Sequence, residues 1–127
     1  MKKVLFICTG NSCRSQMAEG FLKQKENYDT YSAGTEPAKE VQPHAIKVMQ
    51  EVNIDITDQY PKSVNKFLKQ DFDYVVTVCD HARETCPVFL GKTKHRLHIG
   101  FEDPYGKSID FYRKIRDEMK AKIDEVF

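Results

Sequence analysis

The chain has 127 residues, is 40% hydrophobic and carries a formal charge of +1. That length accommodates one domain with its own core and is short for two, so 1–127 is expected to be a single domain. A near-neutral balance gives no bulk field toward nucleic acid, and no apolar stretch approaches the roughly 20 residues of a membrane span, so neither partner is expected.

Val4-Leu5-Phe6-Ile7 centres a buried strand over 2–7. Met1-Lys2-Lys3 ahead of it faintly resembles a signal start, but the apolar run is shorter than an h-region of about 7–15 residues, so the chain is read as cytoplasmic. After a loop, a helix over 15–25 is expected, capped by Ser15, with Met17, Ala18, Phe21 and Leu22 on one face. A second strand over 30–33 closes at Gly34. Pro37 to Pro43 is a loop, and Pro43 opens a helix with Ala45, Ile46, Met49 and Val52 as its core face. Residues 55–61 read as irregular and 63–68 as a short helix.

The third strand spans 73–79, followed by a loop over 80–90 that is helical in part. A fourth strand covers 96–99 and a loop 100–107. Ser108 caps a long helix with Ile109, Tyr112, Ile115, Met119, Ile123 and Val126 on one face. Strands alternating with helices predict an α/β fold, a three-layer sandwich around a four-stranded parallel sheet in the order 2-1-3-4. Such sheets bind ligands at the C-terminal ends of their strands. Cys8 ends strand 1 and Cys79 ends strand 3, so two thiols are expected to flank one crevice.

Between strand 1 and the first helix stands Cys8-Thr-Gly-Asn-Ser-Cys-Arg14, with Ser15 next. Successive N–H groups on such a loop can wrap a tetrahedral anion, and the helix N-terminus adds partial positive charge. Thr9, Gly10, Asn11, Ser12, Cys13, Arg14 and Ser15 are therefore the expected substrate-binding residues. Arg14 can grip two anion oxygens through its planar fork. The same field is expected to lower the Cys8 thiol from its ordinary value of about 8.5, arming it as a nucleophile. Ser15 can donate to that sulfur as well as cap the helix, and Cys13 is expected to serve in packing. Taken alone, Cys8 would read as a small buried hydrophobe; the ordered set changes that reading.

The remaining cysteines are Cys79 and Cys86, and the histidines are His44, His81, His95 and His98. No Cys-x-x-Cys pair or usual zinc spacing occurs, so no metal and no cofactor is expected, although Cys79, His81 and Cys86 could be grouped as ligands. Cys79 and Cys86 taken singly could be inert packed thiols.

These motifs resemble the low-molecular-weight tyrosine phosphatase superfamily, and within it the thioredoxin-coupled arsenate reductases. The likeness runs over essentially the whole chain through the Cys8–Glu19 motif, Tyr31-Ser-Ala-Gly34, Asp73-Tyr-Val-Val-Thr-Val-Cys79, Cys86-Pro87 and Gly100-Phe-Glu-Asp-Pro104. Gln16 follows the loop as in the reductases, where the phosphatases usually have Pro. The resemblance implies arsenate as substrate, Cys8, Arg14 and Asp103 as catalytic residues, and a relay in which Cys79 and then Cys86 form the disulfide that thioredoxin reduces. A monomer is expected. A protein tyrosine phosphatase is the alternative, kept open by Tyr105 after Asp103-Pro104, and a non-catalytic oxyanion or arsenical sensor is a third reading.

Many such reductases hold potassium behind the loop through residues matching Asn11 and Ser32 plus a Thr and an Asp near position 60. This chain has Tyr60 and Lys62 there. Either the Lys62 ammonium takes the place of the ion, donating toward Asn11 and Ser32, or it is a solvated surface group.

Overall fold

The computed structural model describes residues 1–87 and 89–127. Val88, inside the expected 80–90 loop, lies outside the described residues. Four strands, β1 (Lys2–Cys8), β2 (Tyr28–Gly34), β3 (Phe72–Thr77) and β4 (Thr93–His98), form one parallel sheet in the order β2-β1-β3-β4. This is the expected order. It follows from burial: Val4 to Cys8 are all buried, so β1 takes a central place with covered faces on both sides. β4, by contrast, is an edge strand whose Lys94, His95 and Arg96 are exposed.

Helices α1 (Arg14–Leu22), α2 (Pro43–Gln50) and α4 (Ile109–Val126) pack on one another. Phe127, just past α4, meets Phe6, Tyr28 and Tyr74 edge-on, seating the end of that helix on the sheet. A 3₁₀ turn at Val64–Phe67 and a short helix α3 (Asp80–Thr85) complete the chain. Ser108 caps α4 as expected, accepting from the Phe111 N–H, and Ser63 caps the 3₁₀ turn the same way through Asn65.

Several expectations change. Helix α1 ends at Leu22, and Ser15 does not cap it; Cys13 holds the N-cap position without a side-chain cap bond. Nor does α1 have a single buried face: Ser15 to Leu22 are all buried, because the helix lies between the sheet, α2 and α4. In α2, Val48 is buried in place of the half-covered Ile46 and Val52, since the helix stops at Gln50 before Val52 can join its face. Val126 is exposed at the last turn of α4. The segment after Cys79 is a full helix from Asp80 to Thr85, because the Cys79 sulfur itself accepts from the Ala82 N–H and caps it.

Candidate active site

The sheet brings the C-terminal ends of β1, β2 and β3 to one rim. Cys8 pairs with Gly34 across β1 and β2, and the Val78 N–H bonds the Ile7 carbonyl at 2.9 Å. Gly34 must be glycine: a Cβ there would stand 2.5 Å from the Thr9 carbonyl oxygen and 3.0 Å from the Asn11 Cβ. The loop from Cys8 to Cys13 can therefore lie flat against β2.

Asn11 is the keystone of that loop. Its φ is +51°, a left-handed conformation that asparagine tolerates better than most residues, and it is fully buried. Its polar groups are all bonded. The N–H donates to the Cys8 sulfur at 3.1 Å, the side-chain amide to Ser15 Oγ at 2.7 Å and to Ser32 Oγ at 3.0 Å. Its Oδ1 accepts from the Lys62 backbone N–H at 2.9 Å, and its carbonyl from Gln16 Nε2 at 2.9 Å. Gln16 also donates to the Tyr60 carbonyl and is itself braced by Gln59.

The Cys8 sulfur is 2.8 Å from Ser15 Oγ. Burial pushes its thiol above the ordinary value, while the Ser15 hydroxyl and N–H, the Arg14 charge and the Asn11 N–H pull against that. The expected lowering is thus overturned. At a sulfur only 2% exposed, loss of water outweighs the cationic loop. Cys13 is pushed up too, chiefly by burial, against hydrogen bonds from Ser12 and Tyr112. Tyr112 Oη lies 3.8 Å from its sulfur, in keeping with the expected packing role.

A cavity of about 420 Å³ opens over the loop. Cys8, Thr9, Gly10, Ser12, Cys13 and Arg14 line it, with Lys39, Asp103 and Tyr105 on the far wall. Asn11 and Ser15, expected to touch substrate, instead stand behind this wall as supports for the thiol. Arg14 donates to the Phe101 carbonyl at 3.1 Å and lies 3.5 Å from Asp103 Oδ2. Asp103 is 55% exposed and accepts from the Tyr105 N–H, so the Asp-Pro turn and the approach to the cavity coexist.

Cys79 is not on the cavity wall. It is 3% exposed, and its sulfur lies 3.4 Å from Thr9 Oγ1. The expectation that Cys8 and Cys79 flank one crevice is corrected: Cys8 lines the cavity, and Cys79 lies off its wall against Thr9. Cys86 is half-buried and lines a separate cavity of about 280 Å³ with Val75, Thr77, Arg83, Arg96 and His98. Burial raises its thiol and the Arg96 charge opposes this. All four cysteines are free.

The Lys62 expectation also changes. Its ammonium donates to the Tyr60 carbonyl at 2.7 Å and sits 4.7 Å from that ring's centre; only its backbone N–H reaches Asn11. The carboxylate behind the loop, overlooked in the sequence, is Glu19, buried on α1. It accepts from Ser32 Oγ and is ion-paired by Lys23. The polar atoms of Asn11, Ser32 and Glu19 there are engaged with one another and with the Lys62 backbone N–H. Among the described residues no group of three or more His, Cys, Asp or Glu is placed to hold a metal. Nor is any helix long and apolar enough to cross a membrane.

Cys79 is legible in the sequence from its place at the end of the third strand, and Cys86 and Asp103 through resemblance. The contact of Thr9 with Cys79 and the supports Glu19 and Gln59 are not legible there, because their partners lie 70, 13 and 43 residues away and only the fold joins them.

The chain is similar over nearly its whole length to known proteins. A Staphylococcus epidermidis protein named arsenate reductase 1 is 48% identical over 125 residues, 97% of this chain and 93% of the relative. A solved structure of an arsenate reductase in the phosphate binding state superposes with a TM-score of 0.88 at 36% identity, over 99% of this chain and 96% of that one. A thioredoxin-dependent arsenate reductase from Corynebacterium glutamicum matches with a TM-score of 0.75 at 31% identity, over 99% of this chain and 60% of that one. The family model for low molecular weight phosphotyrosine protein phosphatase matches residues 3–127. With its nucleophile loop, buried asparagine and facing Asp-Pro turn spread over that length, the chain belongs to the low molecular weight phosphotyrosine protein phosphatase family.

Proposed function

We propose that this chain is an arsenate reductase that works as one domain over 1–127, as a monomer in the cytoplasm, without a cofactor. The observation that carries the reading is Cys79: a second buried thiol two residues past the end of β3, the strand beside that of Cys8, with its sulfur 3.4 Å from the Thr9 hydroxyl of the cavity wall. Hydrolysis of a phosphate ester gives such a thiol no chemical step, only protection of Cys8 from oxidation, whereas arsenate reduction needs it.

Arsenate, a tetrahedral anion, sits on the N–H groups of the loop with Arg14 across two of its oxygens. The Cys8 thiolate attacks arsenic, and an oxygen leaves as water with its proton supplied by Asp103. Ser15 and Asn11 hold the sulfur while this happens. Cys79 then attacks the Cys8 sulfur. A Cys8–Cys79 disulfide forms, the sulfur–arsenic bond breaks, and its electron pair stays on arsenic, which leaves as arsenite. Cys86 next attacks Cys79, releasing Cys8 as a thiolate and leaving a Cys79–Cys86 disulfide for thioredoxin to reduce.

The last exchange sets a geometric demand. Cys79 and Cys86 are the two caps of α3, seven residues apart. At about 1.5 Å per helical residue their Cα atoms stand roughly 10 Å apart, whereas a disulfide needs less than about 7 Å. Helix α3 has to unwind. Its composition suits this: of its six residues only Ala82 is buried.

A second reading, a tyrosine phosphatase, is favoured by the cavity, which is larger than one oxyanion needs and has Tyr105 on its rim. One assay separates them. Arsenate-dependent NADPH oxidation through thioredoxin and its reductase supports the reductase, and aryl phosphate hydrolysis alone supports the phosphatase. Neither, with tight oxyanion binding, would indicate a sensor.

A further inference from the structure

Helix α3 is tied down at its first turn by a side-chain chain that the chemistry above does not use. His98, at the end of β4, is bonded through both ring nitrogens. Its Nε2 lies 2.8 Å from Asp80 Oδ1 and its Nδ1 2.8 Å from Thr77 Oγ1. Asp80 is the first residue of α3 and the neighbour of Cys79, and Thr77 is the last residue of β3. A carboxylate only accepts, so Nε2 carries a hydrogen toward Asp80. With a neutral ring, Nδ1 accepts from the Thr77 hydroxyl. With a charged ring, Nδ1 donates to Thr77 Oγ1, whose hydrogen can turn to the Leu97 carbonyl 3.5 Å away. The chain holds in either charge state.

Its placement gives it a purpose. Thr77 and His98 are register partners on adjacent strands and move with the sheet. Asp80 moves with the helix that has to open. Opening α3 far enough to bring Cys86 to Cys79 pulls the Asp80 carboxylate off His98, while the Thr77–His98 bond can stay.

We propose that Asp80 and His98 form a latch that keeps α3 wound and so sets the rate at which the disulfide passes from Cys8–Cys79 to Cys79–Cys86. This rests on the relay proposed above. Both are positioning residues, since neither touches substrate or a reacting sulfur. The exchange itself is balanced: the Cys86 thiolate bonds to Cys79 Sγ, the Cys8–Cys79 bond breaks, and Cys8 leaves as a thiolate. The latch alters only how often α3 opens. Because Asp80 is 87% exposed, its effect is modest, in the range of an exposed ion pair.

The test is a time course with arsenate, quenched by alkylation, in which peptide mapping follows both disulfides. In Asp80→Ala the Cys8–Cys79 disulfide should appear at the wild-type rate. Its conversion to Cys79–Cys86 should be about three- to fivefold faster. His98→Ala should match it, and the double variant should be no faster than either single one. Asp80→Asn, which can still accept from Nε2, should return most of the way to wild type. Amide exchange within 82–86 of the reduced protein, without arsenate, should rise by a similar factor in Asp80→Ala. Unchanged conversion and exchange in Asp80→Ala, or additive effects in the double variant, overturn the latch. Failure of either disulfide to form in the wild type overturns the relay instead, and the assigned role of the latch falls with it, while the exchange rates still show whether Asp80 and His98 hold the helix.

Discussion

The loop around Cys8 and the segment around Cys86 both carry thiols, yet they are built in opposite ways. In the first, a buried asparagine has every polar group bonded and a buried glutamine braces its carbonyl. In the second, a six-residue helix has one buried side chain and is fastened by an exposed carboxylate. The contrast follows from the work asked of each. A site that stabilises charge on a substrate must not rearrange as that charge develops. A segment that delivers a sulfur across roughly 10 Å has to rearrange and so cannot be bonded throughout.

Removing the attacking sulfur tests the rigid half most severely. Cys8→Ser should abolish both arsenate reduction and aryl phosphate hydrolysis. Cys79→Ser and Cys86→Ser should stop thioredoxin-coupled turnover while leaving aryl phosphate hydrolysis largely intact. Multiple turnovers by Cys86→Ser with thioredoxin as sole reductant would remove the mobile half from the mechanism.

Arg14→Lys keeps the charge and loses the fork. We expect a fall of about two to three decades in kcat/KM, the loss typical of one preorganised contact. Near-normal kcat/KM would make Arg14 structural, tied only to the Phe101 carbonyl.

Asn11→Ala should cost about 1–3 kcal/mol of stability for each buried partner left unpaired, read as a shift of the urea midpoint. An equally large shift from a substitution in α3, such as Thr85→Ala, would erase the distinction between the two regions.

The smallest effect is one of pH. Cys8, Cys13 and Tyr112 are all pushed above their ordinary values by burial. The folded state therefore holds protons that the unfolded chain releases once pH passes the ordinary thiol value of about 8.5. Their contribution is fully present below that pH and is lost as pH rises through the raised folded values. Urea midpoints should fall between pH 8 and pH 10, and fall less in Cys13→Ala. A midpoint flat across that window would mean the thiols are not desolvated as the fold implies.

The rigid half was the more legible in the sequence, for a physical reason. An anion loop is local: Cys8 to Ser15 form one turn, and their order alone states the chemistry. Strand order was legible too, since a buried run such as Val4–Ile7 can only be central. What escaped depends on the fold. The Cys8 thiol was expected to be lowered, because its cationic neighbours are near in sequence and the atoms that desolvate it are not. Cys79 is expected in the crevice as the end of the third strand, yet β3 stops at Thr77 and the Cys79 sulfur lies against the Thr9 hydroxyl, off the cavity wall. Helix α3 was read mostly as a loop from its polar residues; its cap is a sulfur, which no usual capping pattern anticipates. For Lys62 the sequence leaves two readings open, an ammonium behind the loop or a solvated one, and the structure gives neither: the half-buried side chain bonds the Tyr60 carbonyl.

The edge strand β4 has a bearing on solubility. Unwinding α3 would uncover Ala82 and Val75 beside a strand whose outer edge has no partner within the sheet. An apolar patch next to an open edge invites pairing between molecules. The residues around that edge, Lys92, Lys94, His95 and Arg96, are all exposed and of one sign when the histidine is charged. Two such edges repel each other, which would disfavour pairing between molecules whenever α3 opened.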